Sequence, residues 1–202
     1  MRRWIVPALA AALLLAACGG AGRPLSRYYD PQGLFSVELP TKHQIQVVGS
    51  APADEATGFP EVLGGVFSSE QPSPQAPTGF GAQASQPDLT TYFVVAFGTG
   101  SRQELEDFLT TMRVQQGGDL KVDRPASIGG RAGGLVVSNF GTAGGGGVLV
   151  AGVLQQGNVG YLIGATFPGD YWETESGDFT RILDSFRADG PPGISSLPLT
   201  GA

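Results

Sequence analysis

The chain has 202 residues, of which 32 are Gly and only 15 % are charged, with a formal net charge of −6. Phosphate binding needs a basic patch, and none appears, so nucleic acid is excluded as a partner. Cys18 is the single cysteine, which rules out an internal disulfide and a thiolate cluster for zinc and leaves packing alone to hold the fold.

Met1 to Arg3 give a cationic start, Trp4 to Leu15 an apolar run, and Ala16-Ala17 the small residues that a signal peptidase needs before its cut. The apolar run is short of the ~20 residues that span a bilayer. Residues 1–17 are therefore expected to be a signal peptide, cut between Ala17 and Cys18. Leu15-Ala16-Ala17-Cys18 resembles the lipobox of bacterial lipoproteins. That resemblance implies a thioether from the Cys18 sulfur to diacylglycerol, and hence an extracytoplasmic protein anchored to the cell membrane or outer membrane through acyl chains such as palmitate. Each buried methylene contributes about 0.8 kcal/mol, so two or three chains hold lastingly where one would not. Gly19 rather than Asp follows the cysteine, which by the same resemblance favours an outer membrane where the cell has one. Loss of Arg2 and Arg3 with the leader takes the basic residues from 12 to 10 against 18 acidic ones, a balance of −8.

Residues 18–27 are small, polar or Pro-containing and are expected to form a tether reaching at most ~30 Å at about 3.3 Å per residue. One domain is expected over 28–187, enough chain for one core and short for two. Asp30-Pro31-Gln32-Gly33 matches a type I turn, with Pro fixing φ at the first central position. Phe35, Val37 and Leu39 then alternate with Ser36 and Glu38, a half-buried strand stopped by Pro40. Strands follow over 44–48 and 61–69, and a Pro-rich excursion occupies 68–88. Tyr92-Phe93-Val94-Val95-Ala96-Phe97 is apolar throughout, as a strand covered on both faces requires.

Ser101 and Glu104 have the spacing of a capping box, and Leu105, Phe108, Leu109 and Met112 recur at i, i+3, i+4 and i+7, predicting a helix stopped by Gly117-Gly118. Short strands over 120–122 and 135–140 flank a bend at Gly129-Gly130-Arg131, and 148–154 pairs with 159–167 through a turn near Gly157-Asn158. A loop over 169–175 leads to a last helix capped by Ser176, in which Phe179, Ile182, Leu183 and Phe186 repeat the helical spacing. Residues 188–202 are expected to be a disordered tail. Two amphipathic helices and strands apolar on both sides predict an α+β fold, an α/β/α sandwich with a largely antiparallel central sheet flanked by helices.

Tyr29-Asp30-Pro31-Gln32-Gly33-Leu34-Phe35-Ser36-Val37-Glu38-Leu39-Pro40, then Ile128-Gly129-Gly130-Arg131-Ala132, then Ile182-Leu183-Asp184-Ser185-Phe186 resemble the PsbP/Mog1-like superfamily. The resemblance covers about 28–187 and includes bacterial lipoproteins. It implies a sandwich used for binding or assembly, with no catalytic residues to carry over. Where the family often carries Trp after the first strand's Pro, this chain has Thr41-Lys42-His43.

Catalytic, cofactor and metal sites are not expected. His43, the only histidine, stands in a polar stretch with no nucleophile assigned to it. Asp170, Glu173, Glu175 and Asp178 lack the spacing of a calcium loop and fit an acidic cap on the last helix. Gly141 to Gly147 lacks the Lys-Ser/Thr and following helix of a phosphate loop. Leu197-Pro198-Leu199-Thr200-Gly201 matches a sortase pentapeptide without the apolar and cationic segments that should follow it. Tyr171, Trp172 and Phe80 are the candidate partner contacts. The chain is thus expected to be a lipid-anchored cell-envelope protein, a non-catalytic binding or assembly module for a partner protein or small envelope ligand. The alternative is a carboxylate-dependent hydrolase of envelope carbohydrate or lipid, which needs two carboxylates roughly 5 to 9.5 Å apart across a groove.

Overall fold

The computed structural model describes residues 22–54, 56, 58–70, 90–115, 118–140, 147–168 and 172–188. The described residues form two sheets and two helices. β1 (Leu25–Tyr29) and β2 (Ser36–Pro40) form an antiparallel hairpin. The main sheet has seven strands, all antiparallel to their neighbours: β3 (Gln44–Val48), β4 (Glu61–Ser69), β5 (Thr91–Gly98), β6 (Asp119–Ile128), β7 (Arg131–Phe140), β8 (Gly147–Gln156) and β9 (Val159–Pro168), in the order β3-β4-β5-β9-β8-β7-β6. Helix α1 (Arg102–Gln115) carries the chain from central β5 to the far edge at β6, and α2 (Trp172–Ser185) follows β9.

Alternation along β5 explains the layers, because successive side chains point to opposite faces. Tyr92, Val94 and Ala96 belong to one core with Ile163, Phe35, Val37, Phe179 and Ile182, under α2 and the β1–β2 hairpin. Phe93, Val95 and Phe97 belong to the other, with Leu162, Leu105, Phe108 and Leu109 of α1. Each face thus carries one helix, and neither helix covers its face alone: the hairpin shares one side, and Phe59 packs on Phe108 at 4.8 Å on the other. The mostly antiparallel sheet with two helices agrees with the predicted class, while the flanking layers are less helical than the sequence pattern implies.

Several boundaries differ from expectation. Leu25 to Arg27, placed in the tether by their polarity, form most of β1, and Pro24 accepts a hydrogen bond from the Thr41 amide at 3.0 Å. Ser68 and Ser69, which the expected strand over 61–69 and the Pro-rich excursion over 68–88 both claimed, lie in β4, and residues 71–88 of the excursion are outside the described residues. The two short strands around Gly129 are one hairpin of ten-residue strands. Helix α2 starts at Trp172, so Ser176 and Asp178 stand inside it and do not cap it. The tail beyond 188 and residues 141–146 are outside the described residues as well.

Turn chemistry follows the sequence closely. Gly33 N–H donates to the Asp30 carbonyl at 2.9 Å, closing the predicted turn, and the Asp30 carboxylate accepts from the Gln32 and Leu34 amides at 3.0 and 3.1 Å. Gly129 and Gly130, at φ +57° and +81°, make the two-residue turn between β6 and β7 that only residues tolerant of positive φ can form.

Candidate functional site

Of the residues singled out in the sequence, Ala17, Cys18, Phe80 and Tyr171 lie outside the described residues. Trp172 opens α2, and its side chain is outside the description too. His43 is placed away from solvent: its side chain is only 2 % exposed, its ring lies 5.7 Å from the Tyr92 ring, and its Nε2 is 3.8 Å from the Glu70 carboxylate. A ring so enclosed cannot reach a substrate without opening the corner of the sheet.

That corner instead fixes where the chain enters the domain. Arg23 pairs with Glu70 at 3.2 Å and its amide donates to Asp178 at 3.3 Å. Arg181 bonds both Asp178, at 3.1 Å, and the Arg23 carbonyl, at 3.1 Å. Asp178, expected in an acidic cap, therefore serves as the hub of a clamp between the entering chain and α2. Its reach toward Arg23 has no local signature, since the partners are far apart in sequence.

On the opposite face of the sheet lies a groove of about 180 Å³ between α1 and strands β6, β7 and β8. The capping predicted for α1 sets its near bank: Glu104 N–H donates to Ser101 Oγ at 3.3 Å, and Gly100 N–H donates to the Glu104 carboxylate at 2.8 Å. With Leu105 and Phe108 turned into the core, the shoulder of the helix presents Gln103, Glu106, Asp107 and Thr110 to the groove. Glu106 is held by Arg102 at 2.5 Å and Asp107 by Gln103 at 2.9 Å, both one turn apart. Val136, Ser138, Leu149 and Ala151 form the floor.

Leu120 and Asp123 form the far bank. Three residues apart in a regular strand they would point to opposite faces. Leu120 pairs with Ser138 and Val122 with Val137, so a β-bulge at Lys121 takes up one residue and turns Leu120 and Asp123 to the same side. The sequence reading missed the groove for this reason. The bulge left no trace in the sequence, where Leu120-Lys121-Val122-Asp123 alternates as a regular strand would. Leu120 stays 44 % exposed at the mouth, an aliphatic side chain between carboxylates.

The groove thus joins an apolar floor to three carboxylates on two banks. Its volume is below the ~300 to 1,000 Å³ of pockets that enclose a drug-sized ligand, and suits side chains of a larger partner. Among the described residues no group of three or more His, Cys, Asp and Glu is placed to hold a metal ion, and no helix is long and apolar enough to cross a membrane.

No family model matches the chain, and no curated protein matches it. Among solved structures it is similar to the cyanobacterial PsbP of Synechocystis sp., at 16 % identity and a TM-score of 0.48, over 86 % of this chain and 98 % of that one. It is also similar to LpqN of Mycobacterium tuberculosis, described as involved in cell envelope biogenesis, at 14 % identity and a TM-score of 0.42, over 83 % and 91 % of the two chains. A third is a Pseudomonas aeruginosa protein of unknown function, described as a putative regulator, at 11 % identity and a TM-score of 0.40, over 81 % and 96 %.

Proposed function

We propose that the chain is a lipid-anchored cell-envelope protein whose domain, an α/β/α sandwich of the PsbP/Mog1 kind, binds or assembles a partner protein without turnover. The observation that carries this reading is the clamp on Arg23. Arg23 stands five residues beyond Cys18, so a thioether there holds the clamped chain within about 18 Å of the bilayer at 3.3 to 3.6 Å per residue. The lipobox and the leader supply the anchor, and the groove on the far face supplies a binding surface.

Fatty-acid labelling in intact cells, followed by mass spectrometry of the mature N-terminus, tests the anchor. Label on the wild-type chain that vanishes in Cys18→Ser, with a product starting at Cys18, is the expected result. Label that persists in Cys18→Ser, or a product starting at Met1, ends the proposal.

A carboxylate-dependent hydrolase is the second reading, favoured by one observation: Glu106 and Asp107 on α1 face Asp123 across a groove. Release of reducing sugars or fatty acids from isolated envelopes by the purified chain, lost in Asp123→Asn, would put this reading in place of the first.

A further inference from the structure

We infer that the groove between α1 and strands β6 to β8 receives an extended segment of a partner protein in which Lys or Arg alternates with aliphatic residues. This deepens the binding role proposed above by naming the chemistry of the partner.

Charge complementarity argues for a cation. Glu106 and Asp107 stand on one bank and Asp123 on the other. The chain as a whole is acidic, at −6, which steers a basic segment toward it before contact. Among the described residues Glu106 is engaged by Arg102 alone, a surface pair one helical turn apart, and such pairs contribute little enough to give way to a better-placed partner. Asp123 is paired with Val136 through its backbone, and its carboxylate has no ion pair or hydrogen bond among the described residues.

The floor argues for aliphatic side chains beside that cation. Val136 and Leu149 are left half-buried by α1, and the bulge at Lys121 brings exposed Leu120 to the mouth. A free lysine or a polyamine would satisfy the carboxylates and leave this apolar surface wet. An extended segment satisfies both: every second residue, at about 6.6 to 6.8 Å intervals, lowers an aliphatic side chain onto the floor, and the cations between them, directed away from the floor, lay their long stems over the rim to the carboxylates on the banks. Position argues for a protein partner rather than lipid. The entering chain is clamped to α2 through Arg23 and Asp178, on the other face of the sheet from α1, so the groove lies remote from the anchored corner.

The test is a titration of the purified full chain in a nonionic detergent, read by the methyl resonances of Leu120, Val136 and Leu149. The probes are three ten-residue peptides: alternating Lys and Leu, alternating Glu and Leu, and alternating Lys and Ser. The Lys–Leu peptide is expected to shift these methyls, with an affinity that falls at least tenfold in Asp123→Asn and in Leu120→Ser and falls with added salt. Asp184→Asn, a carboxylate removed from the other layer, is expected to leave it unchanged. Equal loss in Asp184→Asn and Asp123→Asn, equal binding of the Glu–Leu or Lys–Ser peptide, or shifts that appear on concentrating the chain alone would each overturn the proposal. Melting curves confirm that both groove variants stay folded. Running the same titration on Cys18→Ser separates the two claims: loss of the anchor leaves peptide affinity as it was, and loss of peptide binding leaves fatty-acid labelling as it was.

Discussion

The backbone amide of Arg23 donates to the carboxylate of Asp178 at 3.3 Å, although 155 residues separate the two. Asp178 also holds Arg181, whose guanidinium reaches back to the Arg23 carbonyl, so one carboxylate closes a ring between the first described residues and α2. Hydrogen bonds to charged groups contribute about 1.5 to 3 kcal/mol, and the partial exposure of both arginines trims that. Asp178→Ala is expected to lower the unfolding free energy by about 1 to 2 kcal/mol. Release of β1 should also expose the bond after Arg27 to trypsin. Urea denaturation and limited proteolysis check this, and an unchanged cleavage rate at Arg27 would show that the clamp does not hold the entry strand.

Gly129 has a heavier task than its neighbour in the same turn. Both have positive φ, but a Cβ on Gly129 would collide with the Phe186 carbonyl, while one on Gly130 would meet nothing. Gly129 N–H also donates to the Leu183 carbonyl at 2.9 Å, so the β6–β7 turn stops the end of α2. Gly130→Ala is expected to cost about 1 to 2 kcal/mol, the usual penalty of left-handed backbone. Gly129→Ala must add displacement of the α2 terminus and should exceed it by at least about 1 kcal/mol. Equal melting temperatures for the two variants would mean that the turn and the helix end are independent.

These two relationships mark what was legible in the sequence and what was not. β4, β5 and the core stripe of α1 were legible because each buries a periodic face against several neighbours, and periodicity is a local property of the chain. The Asp30 and Gly157-Asn158 turns were legible because their residues have few other conformations to adopt. β1 was not, since Leu25-Ser26-Arg27-Tyr28-Tyr29 packs on one neighbour only and has no clean alternation. The start of α2 was misplaced because Ser176 has the chemistry of a cap, yet its carbonyl accepts from Thr180 Oγ1 inside the helix. The groove was hidden because its far bank depends on a bulge, which shows in pairing register and not in composition.

Tyr28 makes stability depend on alkaline pH. Its hydroxyl is buried with no hydrogen-bond partner among the described residues, and burial first, then the nearby Asp30 charge, pushes its pKa from 10.0 up to about 12. The folded state therefore keeps this proton after the unfolded chain has begun to release it. The contribution to stability is complete below pH 10 and is lost as pH rises toward 12. Tyr28→Phe removes both the titration and the unsatisfied hydroxyl. Urea midpoints across that window are expected to fall less steeply in the variant, with no loss of stability at pH 7. An alkaline slope equal to that of the wild type would assign the loss to other groups.

Ser185 joins α2 to the hairpin that shares its face. Its Oγ accepts from the Glu38 amide at 2.8 Å and donates to the Ile182 carbonyl at 2.7 Å, and its own carbonyl accepts from Arg27 at 2.5 Å. Ser185 thus satisfies one of the two β2 amides turned away from β1, and the other, of Ser36, donates to the Arg187 carbonyl at 2.8 Å. Ser185→Ala keeps the volume nearly constant but leaves the Glu38 N–H without its acceptor, and an unsatisfied buried donor costs about 1 to 3 kcal/mol. Because the Arg27 bond runs to backbone, it survives the substitution, so the loss should stay local. Hydrogen exchange is the discriminating measurement: the Glu38 amide should lose protection by tenfold or more while amides of β8 and β9 change little. A uniform fall in protection across the sheet would instead mean that the hairpin and the main sheet unfold as one unit, and that Ser185 contributes to global stability and not to the docking of β2 on α2.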